Sequence, residues 1–404
     1  MRTHLNKNTT QNNELIDETN LVLCPVAKKC GGCQLQNMSY ERQLKWKQAR
    51  CEILLKKFGK VEKIIGMENP YHYRNKVQSA FARVKGRVIS GVYQSATRRV
   101  VGVDGCMTED IIADKIILTI RKLAQKFKVL IYDERTNTGF LRHVLVRRGF
   151  KTGEVMVVIV GANNNFTSKK AFVKELLAIH PEITTVVFNI NSTQIFLNLG
   201  DKEEILHGKG YIEDVLCGCR FRISSRSFYQ INPVQTEKLY DLAVSLADIK
   251  KDSRILDAYC GIGTIGLIAS QKGGRVVGVE LNSDAVKDAV VNAKLNGTEN
   301  IEFCCGDASD FIETLAKNGE KPDIVFMDPP RAGSTKKFVD ALGDLMPDRI
   351  VYISCNPETL ARDLYFIKKK GYKVKKICPV DMFPHTNHIE SIACLTRTFD
   401  NELP

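Results

Sequence analysis

Three short stretches in the C-terminal half combine side chains able to form a bond, move a proton and hold a charge. ISCNPETLARD (353–363) carries a lone thiol, Cys355, between the end of an apolar run and an Asn-Pro step. MDPPRAG (327–333) sets Asp328 ahead of two prolines that stiffen the backbone behind it. FPHTNHIESI (383–392) drops Glu390 into an otherwise apolar run, with His385 and His388 just upstream. A thiolate adding to carbon 6 of a uracil turns the ring into an enolate whose carbon 5 can attack a methyl donor. A base must then remove the carbon 5 proton before the sulfur leaves. Cys355 is the candidate nucleophile, and the N-terminus of a helix beginning near Pro357 is expected to favour its thiolate. Glu390, desolvated and so raised in pKa, is the candidate base, with either histidine as the alternative. The plain reading of a lone cysteine is a buried apolar thiol, and it is assigned to Cys304, Cys305, Cys378 and Cys394.

DAYCGIGTIG (257–266) places Gly261, Gly263 and Gly266 in the G-x-G-x-x-G spacing. In a dinucleotide site those glycines and a helix N-terminus hold a pyrophosphate, which Asp257 beside the turn would repel. S-adenosylmethionine carries a sulfonium and an ammonium instead of phosphate, so carboxylates near the turn favour it. Glu280 is placed to hold ribose hydroxyls and Asp307 to meet the adenine amine. An Asp-Pro-Pro loop also occurs in enzymes that methylate exocyclic amines, where an aromatic residue usually follows. Arg331 stands there instead, which weighs against that chemistry.

The elements that must carry these residues follow from the rhythm of the chain. From about residue 226 apolar strand runs alternate with helical patterns, including helices over 283–296 and 357–370, the signature of a doubly wound, mostly parallel sheet. Tyr259, Glu280, Asp307, Asp328 and Cys355 all fall at or just beyond strand ends, where such sheets bind ligands. Residues 71–225 read as a β-rich domain of short strands, among them VQSAFARV, VISGVY and QIFLNL. Residues 21–70 form a cysteine-bearing segment, and 1–20 a polar tail with little to bury.

At 404 residues two or more domains are expected. No run approaches a membrane span and the start is polar, so a cytoplasmic protein is expected. Thirteen cysteines in such a chain point to thiols or metal ligands rather than disulfides. The net charge of +13 is concentrated. Arg74, Lys76, Arg83, Lys85, Arg87, Arg98 and Arg99 occur with no acidic residue between them, and Glu41–Lys60 reads as a basic helix. Both suit a phosphate backbone, the alternative being a solvated face.

FYQINPVQ, DAYCGIGT, DPPRAG, SCNP and FPHTNHIE, in that order, resemble the RumA/TrmA family of RNA uracil-5-methyltransferases, from about Cys24 to the end. The resemblance implies a C-terminal Rossmann-like, class I S-adenosylmethionine-dependent domain, with Cys355 as nucleophile and Glu390 as base. Gln230, Tyr259, Glu280 and Asp328 then fall on cofactor or uracil contacts, while Asp307 and Thr264 lie where the family varies. In CPVAKKCGGC, Cys24, Cys30 and Cys33, with Cys106, match the ligands of a [4Fe-4S] cluster in similar proteins; four thiolates suit zinc as well. Cys51, Cys217 and Cys219 are spare candidates for the fourth ligand. Many relatives carry an N-terminal TRAM barrel, which the 23 residues before Cys24 are too few to build, so the β domain is expected to grip the RNA. The implied partner is RNA, 23S rRNA first and the tRNA T-loop second, with no membrane and no obligate protein partner.

Overall fold

The computed structural model describes residues 24–94, 97, 99–193 and 199–398. The expected polar tail, Arg98 and most of the expected QIFLNL strand lie outside them. A short helix α1 (Ala27–Cys30) precedes α2 (Tyr40–Leu55), whose N-cap Ser39 accepts a hydrogen bond from Arg42 N–H. The Glu41–Lys60 stretch is helical as read, but its cations are not all solvated: Lys47 is completely buried and Ile53 is exposed.

The central sheet is built from β1 (Lys76–Val84), β2 (Arg87–Tyr93) and β3 (Val100–Gly102), then, after α3 (Ile111–Lys126), from β4 (Leu141–Arg148) and β5 (Val155–Gly161). Helix α4 (Lys169–Ile179), β6 (Ile183–Ile190) and β7 (Lys202–His207) complete it. Its strand order is β3-β2-β1-β4-β5-β6-β7, antiparallel except for β5 with β6. Lys85 and Gly86 turn β1 into β2 with φ of 49° and 78°, the primed turn that suits a twisted hairpin. The region is β-rich as expected, yet α3 and α4 cover one face of the sheet. The sequence IIADKIILTIRKLAQK is not singled out within the β-rich stretch. Its period-3.6 burial and the Asp110 side chain, which accepts from Ile112 and Ala113 N–H, make it a helix.

A two-stranded ribbon, β8 (Tyr211–Leu216) with β9 (Cys219–Ser224), leads into α5 (Pro233–Ala247). Strand and helix then alternate through β10 (Arg254–Ala258), α6 (Thr264–Ser270), β11 (Arg275–Glu280), α7 (Ser283–Leu295), β12 (Ile301–Cys305), α8 (Ala308–Lys317), β13 (Ile324–Met327), α9 (Lys336–Leu345), β14 (Arg349–Ser354) and α10 (Pro357–Lys369). Strands β15 (Tyr372–Val380) and β16 (Glu390–Arg397) close the sheet in the order β12-β11-β10-β13-β14-β16-β15. The first five strands are parallel and β16 runs antiparallel between β14 and β15. This is the doubly wound sheet expected from the alternation.

The layers share cores. Leu145, Met156 and Val158 of the central sheet pack with Ile212, Phe221, Leu239 and Ile265. Cys51, Leu55 and Phe58 pack with Leu364, Ile377 and Leu395. Parallel bridges from Val61 to Ile377 and from Ile65 to Val380 bind the chain after α2 to β15, so that chain is laced to the C-terminal sheet.

Candidate active site

The parallel strands end on one rim, and that rim collects the chemistry read from sequence. Strand β10 delivers Asp257 and Tyr259, β11 Glu280, β13 Asp328 and β14 Cys355. Because β16 is antiparallel, its first residue reaches the same rim: Ser354 pairs with Ser391, which sets Glu390 beside Cys355. Met327 pairs with Tyr352, bringing Asp328 alongside on the next strand.

The carboxylates form a buried cluster. Burial, then the Asp328 charge, pushes Glu390 well above the usual carboxylate range. Burial lifts Asp328 to about 7. Asp257 also rises to about 7, through burial, with Gly266 N–H pulling the other way and the Asp328 and Glu280 charges adding to the rise. Asp257 Oδ2 accepts from Gly266 N–H at 2.7 Å, while Oδ1 is buried without a partner. The hydroxyl of buried Tyr240 bonds with Thr264 and Gln230 and feels both Asp328 and Glu390. Several acids held together in low dielectric make a site for a cation.

Cys355 is half-buried, and its thiol is pushed up to about 11 by burial and then by the Glu390 and Asp328 charges; Arg331 acts in the opposite direction. The expected thiolate stabilisation by the α10 N-terminus is therefore outweighed here. Part of that terminus is already used, since Asn356 Oδ1 accepts from Glu358 N–H at 3.0 Å. A bound cation or a proton acceptor must shift the balance toward thiolate.

The glycine turn is shaped for close approach. Tyr259 takes φ of 65°, sparsely populated for a non-glycine residue, and its ring lies 5.5 Å from that of Phe338. A Cβ on Gly263 would come within 2.7 Å of the Phe303 ring. Glu280 Oε2 accepts from Gly261 N–H at 3.1 Å and Oε1 from Asn282 N–H at 2.8 Å, so this acid is fixed at the rim. Asp307 is exposed, and its Oδ1 caps α8 by accepting from Ser309 N–H at 2.8 Å.

Both histidines are otherwise engaged. Gln43 grips buried His385 twice, its Oε1 accepting from the main-chain N–H at 2.9 Å and its Nε2 lying 3.2 Å from Nδ1. His385 Nε2 meets the Pro70 carbonyl at 3.1 Å. Burial lowers the His385 pKa, and burial followed by the Arg331 charge lowers that of His388, whose Nδ1 lies 3.3 Å from Arg331 Nη2. Sequence reasoning did not single out Tyr240, nor Phe228, which is 68 % exposed two residues before Gln230. The FYQINPVQ motif held the signal for Phe228; a tyrosine seven residues into a helical stretch gave none.

Cys24, Cys30, Cys33 and Cys106 line one cavity of about 60 Å³, with Arg74 and Thr386 in its wall. Burial, then the neighbouring Cys106 and Cys30, pushes Cys33 up to about 12. All four are free thiols. Among the described residues no group of three or more His, Cys, Asp or Glu is arranged to hold a metal ion, so the expected ligation is not displayed. Of the spare candidates, Cys51 is sealed in the core, while Cys217 lines a different cavity with Asp241 and Lys272. Cys378 and Cys394 are buried as read, but Cys304 is only half-buried and Cys305 is exposed.

A doubly wound sheet whose glycine turn is lined by the buried acid Asp257 and by Glu280 is that of an S-adenosylmethionine-dependent methyltransferase. A profile of the tRNA (uracil-5-)-methyltransferase family matches residues 39–398, and the chain belongs to that family. It is an RNA uracil-5-methyltransferase that uses S-adenosylmethionine. It is 41 % identical over 377 residues to an uncharacterized RNA methyltransferase of Halalkalibacterium halodurans, covering 92 % of this chain and 82 % of the relative. It is 41 % identical over 383 residues to one of Clostridium tetani, covering 94 % and 83 %. Among solved structures, the Pyrococcus abyssi tRNA (uracil-54, C5)-methyltransferase bound to S-adenosyl-L-homocysteine superposes with a TM-score of 0.78 at 28 % identity, over 90 % of this chain and 86 % of that one.

Proposed function

We propose that the enzyme methylates carbon 5 of a uridine in 23S rRNA through a covalent bond between Cys355 and carbon 6. The observation that carries this reading is the strand register that sets Cys355 between Asp328 and Glu390 on the cofactor rim. Cys355 gives its proton to solvent and its Sγ adds to carbon 6; carbon 5 of the resulting enolate would then take the methyl group of the sulfonium, breaking the sulfur–methyl bond and releasing S-adenosyl-L-homocysteine. Glu390 then takes the carbon 5 proton, and elimination of the thiolate restores the ring double bond. Burial and the Asp328 charge raise the Glu390 pKa, so its carboxylate, once formed, is a stronger proton acceptor than an exposed one. The engagement of His385 and His388 elsewhere favours Glu390 as the base.

Asp257, Asp328 and Tyr259 are assigned to the methionine and adenosine parts of the donor, Glu280 to the ribose and Gln230 to the base or donor. Asp307, tied up as a cap, retains one oxygen for the adenine amine. Methylation of a T-loop uridine in tRNA is the second reading, favoured by the likeness to the Pyrococcus abyssi enzyme. Labelled S-adenosylmethionine supplied with unmodified 23S rRNA and tRNA, with each product mapped to its nucleotide, decides between them. Label on the rRNA is the predicted result, and label on tRNA alone would favour the second reading.

The four thiols line one cavity, and a [4Fe-4S] cluster, which takes one thiolate per iron, is the occupant proposed for it. Cys24, Cys30, Cys33 and Cys106 would hold it, a structural staple between α1 and the central domain. Anaerobically prepared protein should contain about four iron and four sulfide per chain, and one zinc per chain would refute the cluster.

A further inference from the structure

Strands β1 and β4 pair so that Lys76 stands directly opposite Arg147. Residues opposite one another share a face of the sheet. That face carries Leu145 into the core shared with the C-terminal domain, whereas Val144 and Val146 pack on the side of α3 and α4. Arg147 is 1 % exposed; its Nη2 donates to the Ser227 carbonyl at 2.9 Å, and its Nε and Nη1 are buried with no partner. Lys76 is half-buried in front of it. Among the described residues no carboxylate pairs with either cation. Burial and the facing charge together bring Lys76 down to about 8, and burial brings Arg147 down to about 10.

Like charges directly across a sheet repel, and a buried guanidinium without a counter-charge is costly. A fold that keeps both cations, with free N–H groups and no acid, is shaped to receive an anion from outside. The location says which one. Ser227, the residue Arg147 holds, immediately precedes exposed Phe228 and is three residues before Gln230 on the rim. Asn75, just before Lys76, donates its N–H to the Ile231 carbonyl at 3.0 Å. The cations therefore flank the 227–231 segment that carries exposed Phe228 and Gln230.

We propose that Lys76 and Arg147 form a receptor for a backbone phosphate of the substrate RNA beside the target uridine. The half-buried ammonium meets the phosphate first and the guanidinium behind it supplies the free N–H groups. This rests on the RNA reading above and adds a specific anchoring site to it.

The test uses the full-length chain with Arg147→Met and Lys76→Met, measuring RNA affinity across a salt series, affinity for S-adenosyl-L-homocysteine, and melting temperature. Each variant should bind RNA roughly tenfold more weakly and reduce the slope of log K against log salt by about 1. The effect should fall on KM for RNA rather than on kcat, with cofactor affinity unchanged. Arg147→Met should also melt at or above the wild-type temperature, since it removes an uncompensated buried charge. RNA affinity and salt slope equal to wild type would overturn the proposal, as would a lower melting temperature with normal RNA binding. Weaker cofactor binding with normal RNA binding would overturn it too, because the anion would then be the methionine carboxylate. If Arg147→Met does not fold, Lys76→Met carries the same binding test. RNA affinity is read without turnover, so an inactive wild-type enzyme would sink the catalytic reading and leave this one standing.

Discussion

Lys47 Nζ lies 2.6 Å from Asp381 Oδ1 with both side chains completely buried, an ion pair joining α2 to the loop that leads into Glu390. Lys47 also donates to the Phe383 carbonyl at 3.0 Å, and Gln43, one turn earlier, holds His385. Tyr73 Oη donates to the Pro384 carbonyl at 3.0 Å, and Leu35 N–H to that of His385 at 2.9 Å. The approach to Glu390 is thus fixed from the N-terminal third of the chain. Asp381 Oδ2 has no partner, so removing the cation leaves a bare buried carboxylate. Lys47→Met should cost about 3–5 kcal/mol, and Lys47→Met with Asp381→Asn should recover much of it, measured by denaturant unfolding.

Glu390→Gln should separate the two halves of the reaction. Sulfur addition and methyl transfer proceed, but the carbon 5 proton has no acceptor, so the methylated adduct cannot collapse. Incubation of this variant with unmodified substrate RNA and S-adenosylmethionine should build up a protein–RNA conjugate, visible as a slow-migrating band on a denaturing gel. Turnover should fall by about 10²–10⁴-fold.

Cofactor binding should depend on pH with a definite sign. Asp257 and Asp328 have folded-state pKa values near 7, above the usual carboxylate range. Such groups favour the folded apo protein at low pH, and that contribution disappears as pH rises through their folded pKa. A sulfonium and an ammonium relieve the accumulated charge. The thermal stabilisation by S-adenosylmethionine should therefore grow from pH 6 to pH 8, and a flat or declining shift would argue against these acids as its partners.

The rate of adduct formation should also climb with pH. The Cys355 thiol sits near 11 and only its thiolate is nucleophilic, so a rising limb through the neutral and alkaline range is expected in single-turnover measurements.

How much of this was legible in the sequence differs by residue. The strand-end positions of Cys355, Asp328 and Glu280 were readable because each interrupts or ends an apolar run. Glu390 was readable because an acid within HIESIACL has no surface reason to be there. Lys47 was not: it looked like one cation of a basic helix, and its partner lies 334 residues away. Arg147 was hidden for the same reason, as a strand run shows which residues alternate but not which neighbouring strand or domain covers them. Helix α3 was not named within the β-rich reading of 71–225, although Ala113, Ile116, Ile117, Ile120, Leu123 and Ala124 recur at helical spacing behind Asp110.

The central claim is a transient carbon–sulfur bond, and its most direct measurement uses RNA bearing 5-fluorouridine at the target position. Fluorine cannot be removed as a proton is, so the account predicts a stable conjugate that forms only with S-adenosylmethionine present. Peptide mapping by mass spectrometry should place it on Cys355, and Cys355→Ala should abolish it while still binding S-adenosyl-L-homocysteine. A wild-type enzyme that methylates the normal RNA yet yields no conjugate, or one whose conjugate survives Cys355→Ala, would contradict the account.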